Sequence, residues 1–272
     1  MRLKRAYRAA LFAACLLGVQ SSWAAQVVDV WTFYPAPPFR TDVDKGTGLI
    51  ADLVSYLNQA LAGQYELRLT FLPRARLNMM LKGGARAVVL FVPSFIFGGV
   101  DGGDYLWSVP LFADHQELVS RRNKPFEFTG PQSLVGVRFG ATLGHVYPLI
   151  EKEMASGLIR ADQVTGEESL VNMLMANHVD VITIANSTVR YCRQINPAFR
   201  DAAVLSRHNL GDFTRHLMFQ RGMARTRDDF DRVLRQMSTD PVWIATLAKY
   251  GLVPIKTSRT GPAQPAPKRM RP

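Results

Sequence analysis

The run Ala87-Val88-Val89-Leu90-Phe91-Val92 constrains the fold more than any other stretch, because six consecutive residues are apolar. A strand wetted on one side alternates polar and apolar residues. An unbroken run predicts a strand covered on both faces, the situation of a parallel sheet. The preceding segments supply what such a sheet needs. Val27 to Phe33 is β-rich and stops at Tyr34-Pro35-Ala36-Pro37-Pro38-Phe39, which cannot continue a sheet. From Gly48 to Ala62, Ile50, Leu53, Val54, Leu57 and Leu61 fall on one helical face. Gln64 to Leu72 alternates as a strand, and Pro73 suits the first turn of a helix ending near Gly83-Gly84. The order is βαβαβ, which implies parallel strands joined by right-handed crossovers.

A second series follows. The loop Gly98-Gly99-Val100-Asp101-Gly102-Gly103 has no Lys-Ser/Thr pair to close a phosphate cradle and reads as a flexible connection. Trp107 to Ser120 is extended, and Val135 to Ala141 is a strand. A helix is expected from Gly144-His145 to Gly157, then another through Asn177 with Thr165 and Glu168 as its capping-box pair. Val179 to Ile184 is a second buried strand, followed by a helix to about Ile195. After an extended stretch from Leu205 to Gln220, two helices close the fold. Thr226 is expected to cap the first, and Asp240-Pro241 to open the second, which ends at Gly251.

The formal charge of +11 invites a nucleic-acid reading, but its distribution argues against one. Residues 1–24 carry +4 and residues 256–272 carry +5, leaving the body near +2. A nucleic-acid groove needs clustered charge on the folded body. The first segment reads instead as an export signal: a basic stretch to Arg8, eleven apolar residues from Ala9 to Val19, and Ser22-Trp23-Ala24 for a signal peptidase. Eleven apolar residues fall short of the roughly 20 needed to span a bilayer. Cleavage near Ala24 would remove Cys15 and leave Cys192 alone, so the exported chain would have no internal disulfide. The Pro-rich basic stretch 256–272 is expected to be disordered.

Several motifs, taken in order, resemble a known family. They are the Tyr-x-Pro-Pro-Phe-like turn, Gly48-Leu49-Ile50-Ala51-Asp52-Leu53, Leu72-Pro73-Arg74-Ala75-Arg76, and Trp107-Ser108-Val109-Pro110-Leu111-Phe112. Gly136-Val137-Arg138-Phe139-Gly140, Asn177-His178-Val179-Asp180 and Ala248-Lys249-Tyr250-Gly251 complete the series. Over residues 27–253 the chain resembles the bacterial extracellular solute-binding proteins of family 3, the amino-acid-type periplasmic binding proteins. The resemblance implies an α/β type II periplasmic-binding-protein fold, with two α/β lobes joined by two crossing segments. Lobe 1 would comprise residues 26–112 plus 209–255, and lobe 2 residues 113–208. It also implies a periplasmic, monomeric binder that closes on a small-molecule ligand and needs no cofactor. Its partner would be an inner-membrane ABC permease or a membrane sensor protein.

Ligands of parallel α/β sheets bind beyond the carboxyl ends of the strands. Those ends supply Tyr34, Phe39, Arg74, Arg76, Ser94, Phe95, Thr142, Leu143, Gly144, His145 and Asn186 as candidate ligand-binding residues, with Ser187 and Thr188 following Asn186 in the same stretch. Thr142-Leu143-Gly144 is expected to offer backbone N–H groups to an anion at a helix start. Arg76, at the arginine of the family's Pro-x-x-Arg pattern, is favoured over Arg74 as the carboxylate ligand. Two departures matter. The stretch Phe91-Val92-Pro93-Ser94-Phe95-Ile96-Phe97 lacks the arginine that usually grips an α-carboxylate, and Ala185 stands where an acid usually pairs with the α-ammonium. The expected ligand is therefore an anion or carboxylate without a paired amine. The five histidines show no metal spacing, and no Gly-x-Ser-x-Gly elbow is present. A catalytic role is not expected, although the fold's resemblance to periplasmic dehydratases keeps a lyase as the alternative.

Overall fold

The computed structural model describes residues 25–42 and 44–254. The expected signal segment and the basic tail lie outside the described residues. Lobe 1 is built from β1 (Gln26–Thr32), α1 (Leu49–Ala60), β2 (Tyr65–Phe71), α2 (Arg74–Lys82), β3 (Val88–Pro93) and β4 (Tyr105–Trp107). The chain then crosses in β5 (Phe112–Arg121) to β6 (Phe139–Thr142), α3 (Glu151–Ala155), β7 (Ala161–Val164), α4 (Glu167–Met175) and β8 (Val181–Ala185). Next come α5 (Asn186–Ile195), α6 (Pro197–Ala202) and β9 (Ala203–Leu205). β10 (Asp212–Gln220) carries the chain back to lobe 1, where α7 (Ala224–Met237) and α8 (Pro241–Ala248) finish it.

The strands run in the order β2-β1-β3-β10-β5-β8-β6-β7. The βαβαβ expectation holds: β1 pairs in parallel with β2 and β3, and β6 pairs in parallel with β7 and β8. The two crossing strands are antiparallel to their neighbours. Phe112 to His115 of β5 pair with β10, while Gln116 to Ser120 pair with β8. One strand thus serves both lobes.

Burial explains the apolar run of β3. Val88 and Leu90 enter a core formed with Leu49, Leu53, Leu57, Phe230 and Trp243, while Ala87 and Val89 enter the opposite core with Trp31, Leu77 and Trp107. At Phe91 the alternation breaks, since Phe91 joins the first core and Val92 the second. Phe91 has φ 57, and the pairing of β3 with β10 shifts register between His216 and Met218. A bulge costs ladder regularity and re-aims a strand. In lobe 2, β8 is covered in the same way, with Val181 on one core and Ile182 and Ile184 on the other.

Two glycines are required by close approach. A Cβ on Gly48, at φ 136, would sit 2.4 Å from the Phe39 carbonyl oxygen, so the turn can fold onto the start of α1 only with glycine there. At Gly140 of β6 a Cβ would meet Leu170 at 3.0 Å, where α4 lies against the sheet.

Some local expectations fail for identifiable reasons. No helix starts at Gly144: turns at residues 143–144 and 148–150 flank an irregular stretch, and α3 covers only Glu151–Ala155. Pro148 disfavours helical backbone in the residue before it and lacks an N–H of its own. Thr165 and Glu168 do not cap α4, whose N-cap is Gly166 without a side-chain bond. Thr226 lies inside α7, which grows out of a 3-10 turn at Arg221–Met223. Asp240 does cap α8, accepting from the Val242 N–H at 2.8 Å. β7 and β9 are additional short strands without a clear signal in the sequence pattern.

Lobe 2 is pinned at the end away from the crossing by one carboxylate. Asp180 receives Arg138 at 2.6 Å, Lys124 at 2.8 Å and Arg121 at 3.3 Å. Its carboxyl is held far below the usual range, chiefly by the Arg138 hydrogen bonds. Arg121 is itself buried, so neutralising Asp180 strands a buried cation. Asp180→Asn should cost about 3 kcal/mol of unfolding free energy, read as a lowered urea midpoint.

Candidate functional site

The crossing strands bring an arginine into the centre of the molecule. Arg215 on β10 is 3% exposed, and its Nε donates to Asp114 Oδ2 of β5 at 2.7 Å. Phe213 and Asp114 are register partners, so residues on the same two strands supply the cation and the acid. Asp114 also accepts from the Ser187 backbone N–H at 3.0 Å and from Ser187 Oγ at 2.8 Å, which ties it to the first turn of α5. Arg215 Nη1 donates to the Tyr34 hydroxyl at 2.9 Å and to the Phe91 carbonyl at 3.3 Å. Tyr34 in turn donates to that carbonyl at 3.1 Å. The left-handed turn at Phe91 is what aims its carbonyl at both donors. Burial pushes the Tyr34 hydroxyl up, keeping it protonated and able to donate.

Aromatic rings surround these cations. Phe33, Tyr34 and Phe39 form a continuous stack with centroids 4.5 Å apart at each step. The Arg215 guanidinium lies 4.6 Å from the Phe39 ring and 5.1 Å from the Phe213 ring. Arg74, the first residue of α2, is held between Phe33 and Phe97, each centroid 4.4 Å from its guanidinium carbon. Its Nε donates to Asn78 at 3.0 Å. Among the described residues, no carboxylate pairs with Arg74 and no acceptor takes its Nη hydrogens. Burial lowers its pKa only within the range of a permanent cation. The first turn of α2 contains no acid, so the positive end of the helix dipole adds to the same potential.

Lobe 2 faces this cluster with His145, Tyr147, Glu167 and Thr188. Glu167 leaves α4 to accept from the Ala185 N–H at 2.9 Å and from the Thr188 hydroxyl. Burial raises its carboxyl above the ordinary range, while Thr188, Ala185 and Arg215 pull it back. Thr188 also reaches the Pro37 carbonyl of lobe 1 at 3.5 Å. Further along α5, Arg190 Nη1 donates to the Gly251 carbonyl at 3.4 Å, and Tyr191 packs against Tyr250 and the main core of lobe 1. The lobes therefore touch along α5. His145 keeps solvent contact on its turn, yet loss of surrounding water, then Arg215 and Arg74, bring its imidazole down to about 4.

The candidate residues separate on this geometry. Tyr34, Phe39, Arg74 and His145 converge around Arg215, and Phe95 stands at the edge of the same group, 5.4 Å from the Phe213 ring. Ser94 is engaged with Thr214, through a backbone bond of 2.8 Å and its hydroxyl at 3.3 Å. Asn186, with its amide oriented to satisfy both neighbours, bridges Glu117 at 3.3 Å and Arg190 at 3.0 Å. Arg76 is exposed on α2, so Arg74, the less favoured of the two, is the arginine held among the rings. The expected anion cradle at Thr142-Leu143-Gly144 does not form. The Tyr147 hydroxyl accepts the Thr142 N–H at 3.0 Å, the Leu143 N–H donates to the Val164 carbonyl at 2.8 Å, and no helix begins at Gly144.

Arg215, Asp114 and Glu167 are residues of this cluster that sequence reasoning missed, whereas Ser187 and Thr188 fall in the strand-end stretch it did point to. A signal exists for the first two, because each is a charged residue inside an extended, mostly apolar run, where burial demands a partner. Glu167 carries none, since its meeting with Thr188 depends on how α4 and α5 pack. Cys192 is half-buried on α5 with its thiol pushed up to about 12 by burial, in keeping with a packing role. Among the described residues, no group of His, Cys, Asp and Glu side chains could hold a metal, and no helix is long and apolar enough to cross a membrane.

Solved structures share this architecture. A mutant of the arginine-binding protein ArgBP from T. maritima superposes with a TM-score of 0.65 at 18% identity, over 82% of this chain and 94% of that one. The GluR0 ligand-binding core from Nostoc punctiforme, in complex with L-glutamate, gives 0.65 at 13% identity, over 83% and 98%. The ancestral amino acid-binding protein AncCDT-1, a precursor of cyclohexadienyl dehydratase, gives 0.62 at 15% identity, over 83% and 96%. The fold is therefore the type II periplasmic-binding-protein fold. No protein-family model matches the chain, and no curated protein matches it.

The low imidazole pKa of His145 has a stability consequence with a definite sign. Its unfolded value lies near 6.5 and its folded value near 4, so the unfolded chain binds the extra proton between them. Stability from this group is complete above pH ~6.5 and falls as pH drops toward ~4. His145→Gln should flatten the dependence of melting temperature on pH in that window and leave it unchanged above pH ~7.

Proposed function

We propose that this protein is an exported solute-binding protein, which captures a small carboxylate-bearing or otherwise anionic solute between its lobes. The observation that carries the reading is Arg74: a partly buried guanidinium, fixed between two rings, with no acid to neutralise it among the described residues. Arg215 is already neutralised by Asp114, so the charge left for a ligand sits at Arg74. A carboxylate suits the donor pair that remains there, because a guanidinium presents two parallel N–H groups to it. Similar folds solved with arginine, glutamine or glutamate bound support capture of a small polar solute. In this reading residues 26–112 plus 209–255 close against 113–208 about the two crossing strands, and the α5 contacts form on closure. Delivery to an inner-membrane ABC permease is the matching role, and the basic apolar leader is its route to the periplasm.

Mass spectrometry of small molecules that copurify with the periplasmic protein tests the reading. A carboxylate-bearing compound is expected, together with an N-terminus at Ala25 or Gln26. Arg74→Gln should weaken binding of that compound about ten- to hundredfold, since a charge-assisted hydrogen bond contributes about 1.5–3 kcal/mol. Arg76→Gln should leave it nearly unchanged. A bound cation, or equal affinity in the Arg74 variant, would overturn the proposal.

A further inference from the structure

We infer that the site selects a carboxylate attached directly to a flat aromatic group, an arenecarboxylate such as benzoate, over aliphatic carboxylates; this rests on the carboxylate-capture reading above. Two constraints lead to it. The first is the setting of the Arg74 guanidinium, whose central carbon lies over two rings, Phe33 and Phe97, each centroid 4.4 Å away. With Nε engaged by Asn78, the Nη hydrogens are the donors left, and a carboxylate that takes both of them approaches in the guanidinium plane. The rest of the ligand is then directed away from Arg74 within that plane. A group that is itself planar and conjugated to the carboxylate follows this course without twisting.

The second constraint is the loop that carries both the cover and the wall. Phe91 and Phe97 both have positive φ, at 57 and 56, an unusual backbone for aromatic residues. They bracket Val92-Pro93-Ser94-Phe95-Ile96, which Ser94 fastens to Thr214 on β10. Strain of this kind persists where the surroundings over-determine it, and here it sets two rings to different tasks. Phe97 is placed over Arg74, while Phe95 remains 47% exposed with its ring edge-on to Phe213. Phe213 in turn touches the Arg215 guanidinium, so the exposed ring belongs to the same cluster as the two arginines. An aromatic ligand gains offset or edge contact with Phe95 that a saturated ring of similar size does not.

Titration calorimetry with the mature protein against benzoate, cyclohexanecarboxylate, acetate and benzylamine tests the inference. Benzoate should bind at least tenfold more tightly than acetate and about three- to tenfold more tightly than cyclohexanecarboxylate, the size of one aromatic contact. Benzylamine should not bind. Phe95→Leu should bring benzoate down to the level of cyclohexanecarboxylate without changing acetate. Equal affinity for the three carboxylates in the wild type would overturn the aromatic selection and leave carboxylate capture standing. Preference for benzylamine, or no carboxylate binding at all, would overturn both. If the Phe95 variant fails to fold, the wild-type ratio of benzoate to cyclohexanecarboxylate still decides.

Discussion

The buried pair of Arg215 and Asp114 is the contact on which the remaining arrangement depends. A guanidinium and a carboxylate leave water only if their attraction and hydrogen bonds offset several kcal/mol of desolvation per ion. Here the offset is assembled from several parts of the chain. β10 and β5 supply the two charges, α5 supplies Ser187 to the acid, and the Phe91 carbonyl and Tyr34 hydroxyl accept from Nη1 of the cation. Because β5 and β10 are the strands that join the lobes, this network fixes the crossing itself. It also sets the potential felt by His145 and Glu167 on the facing lobe.

Neutralising Arg215 from within has a second effect. It leaves the arginine at the start of α2 as the cation without a charged partner among the described residues of the cluster. The fold thus separates structural charge from available charge. Arg215 holds the strands, Arg74 has no carboxylate partner among the described residues, and aromatic rings lie against both. Glu167 gives lobe 2 a half-buried acid whose hydrogen bonds come from its own lobe, through Ala185 and Thr188. The contacts of α5 with Pro37, Gly251 and Tyr250 then connect that helix to lobe 1 at its middle as well as near its start.

Much of the scaffold is legible in the chain itself. The unbroken apolar run Ala87–Val92 and the mostly apolar stretch Val179–Ile184 mark strands buried on both sides, and the helical spacing of Ile50, Leu53 and Leu57 marks α1. These signals are local: a strand of period two between two cores, or a helix with one wet face, writes its environment into consecutive residues. Caps are legible unevenly for the same reason. Asp240 before Pro241 is a self-contained cap, whereas Thr165 and Thr226 match a short pattern whose use depends on where the helix begins in three dimensions.

The sequence by itself determined the α/β order, the two-sided burial of the central strands and the aromatic loops at their carboxyl ends. Only the tertiary structure decided which charges meet. Arg215 and Asp114 are 101 positions apart, and nothing local distinguishes Arg74 from Arg76 until Phe33 and Phe97 close around the former. The turn at Thr142–His145 likewise lost its expected role once Val164 and Tyr147 took its N–H groups. Hydrophobic pattern repeats along the chain and can be read there. An ion pair or a guanidinium clamp depends on a few atoms from distant segments, and its existence is settled by packing alone.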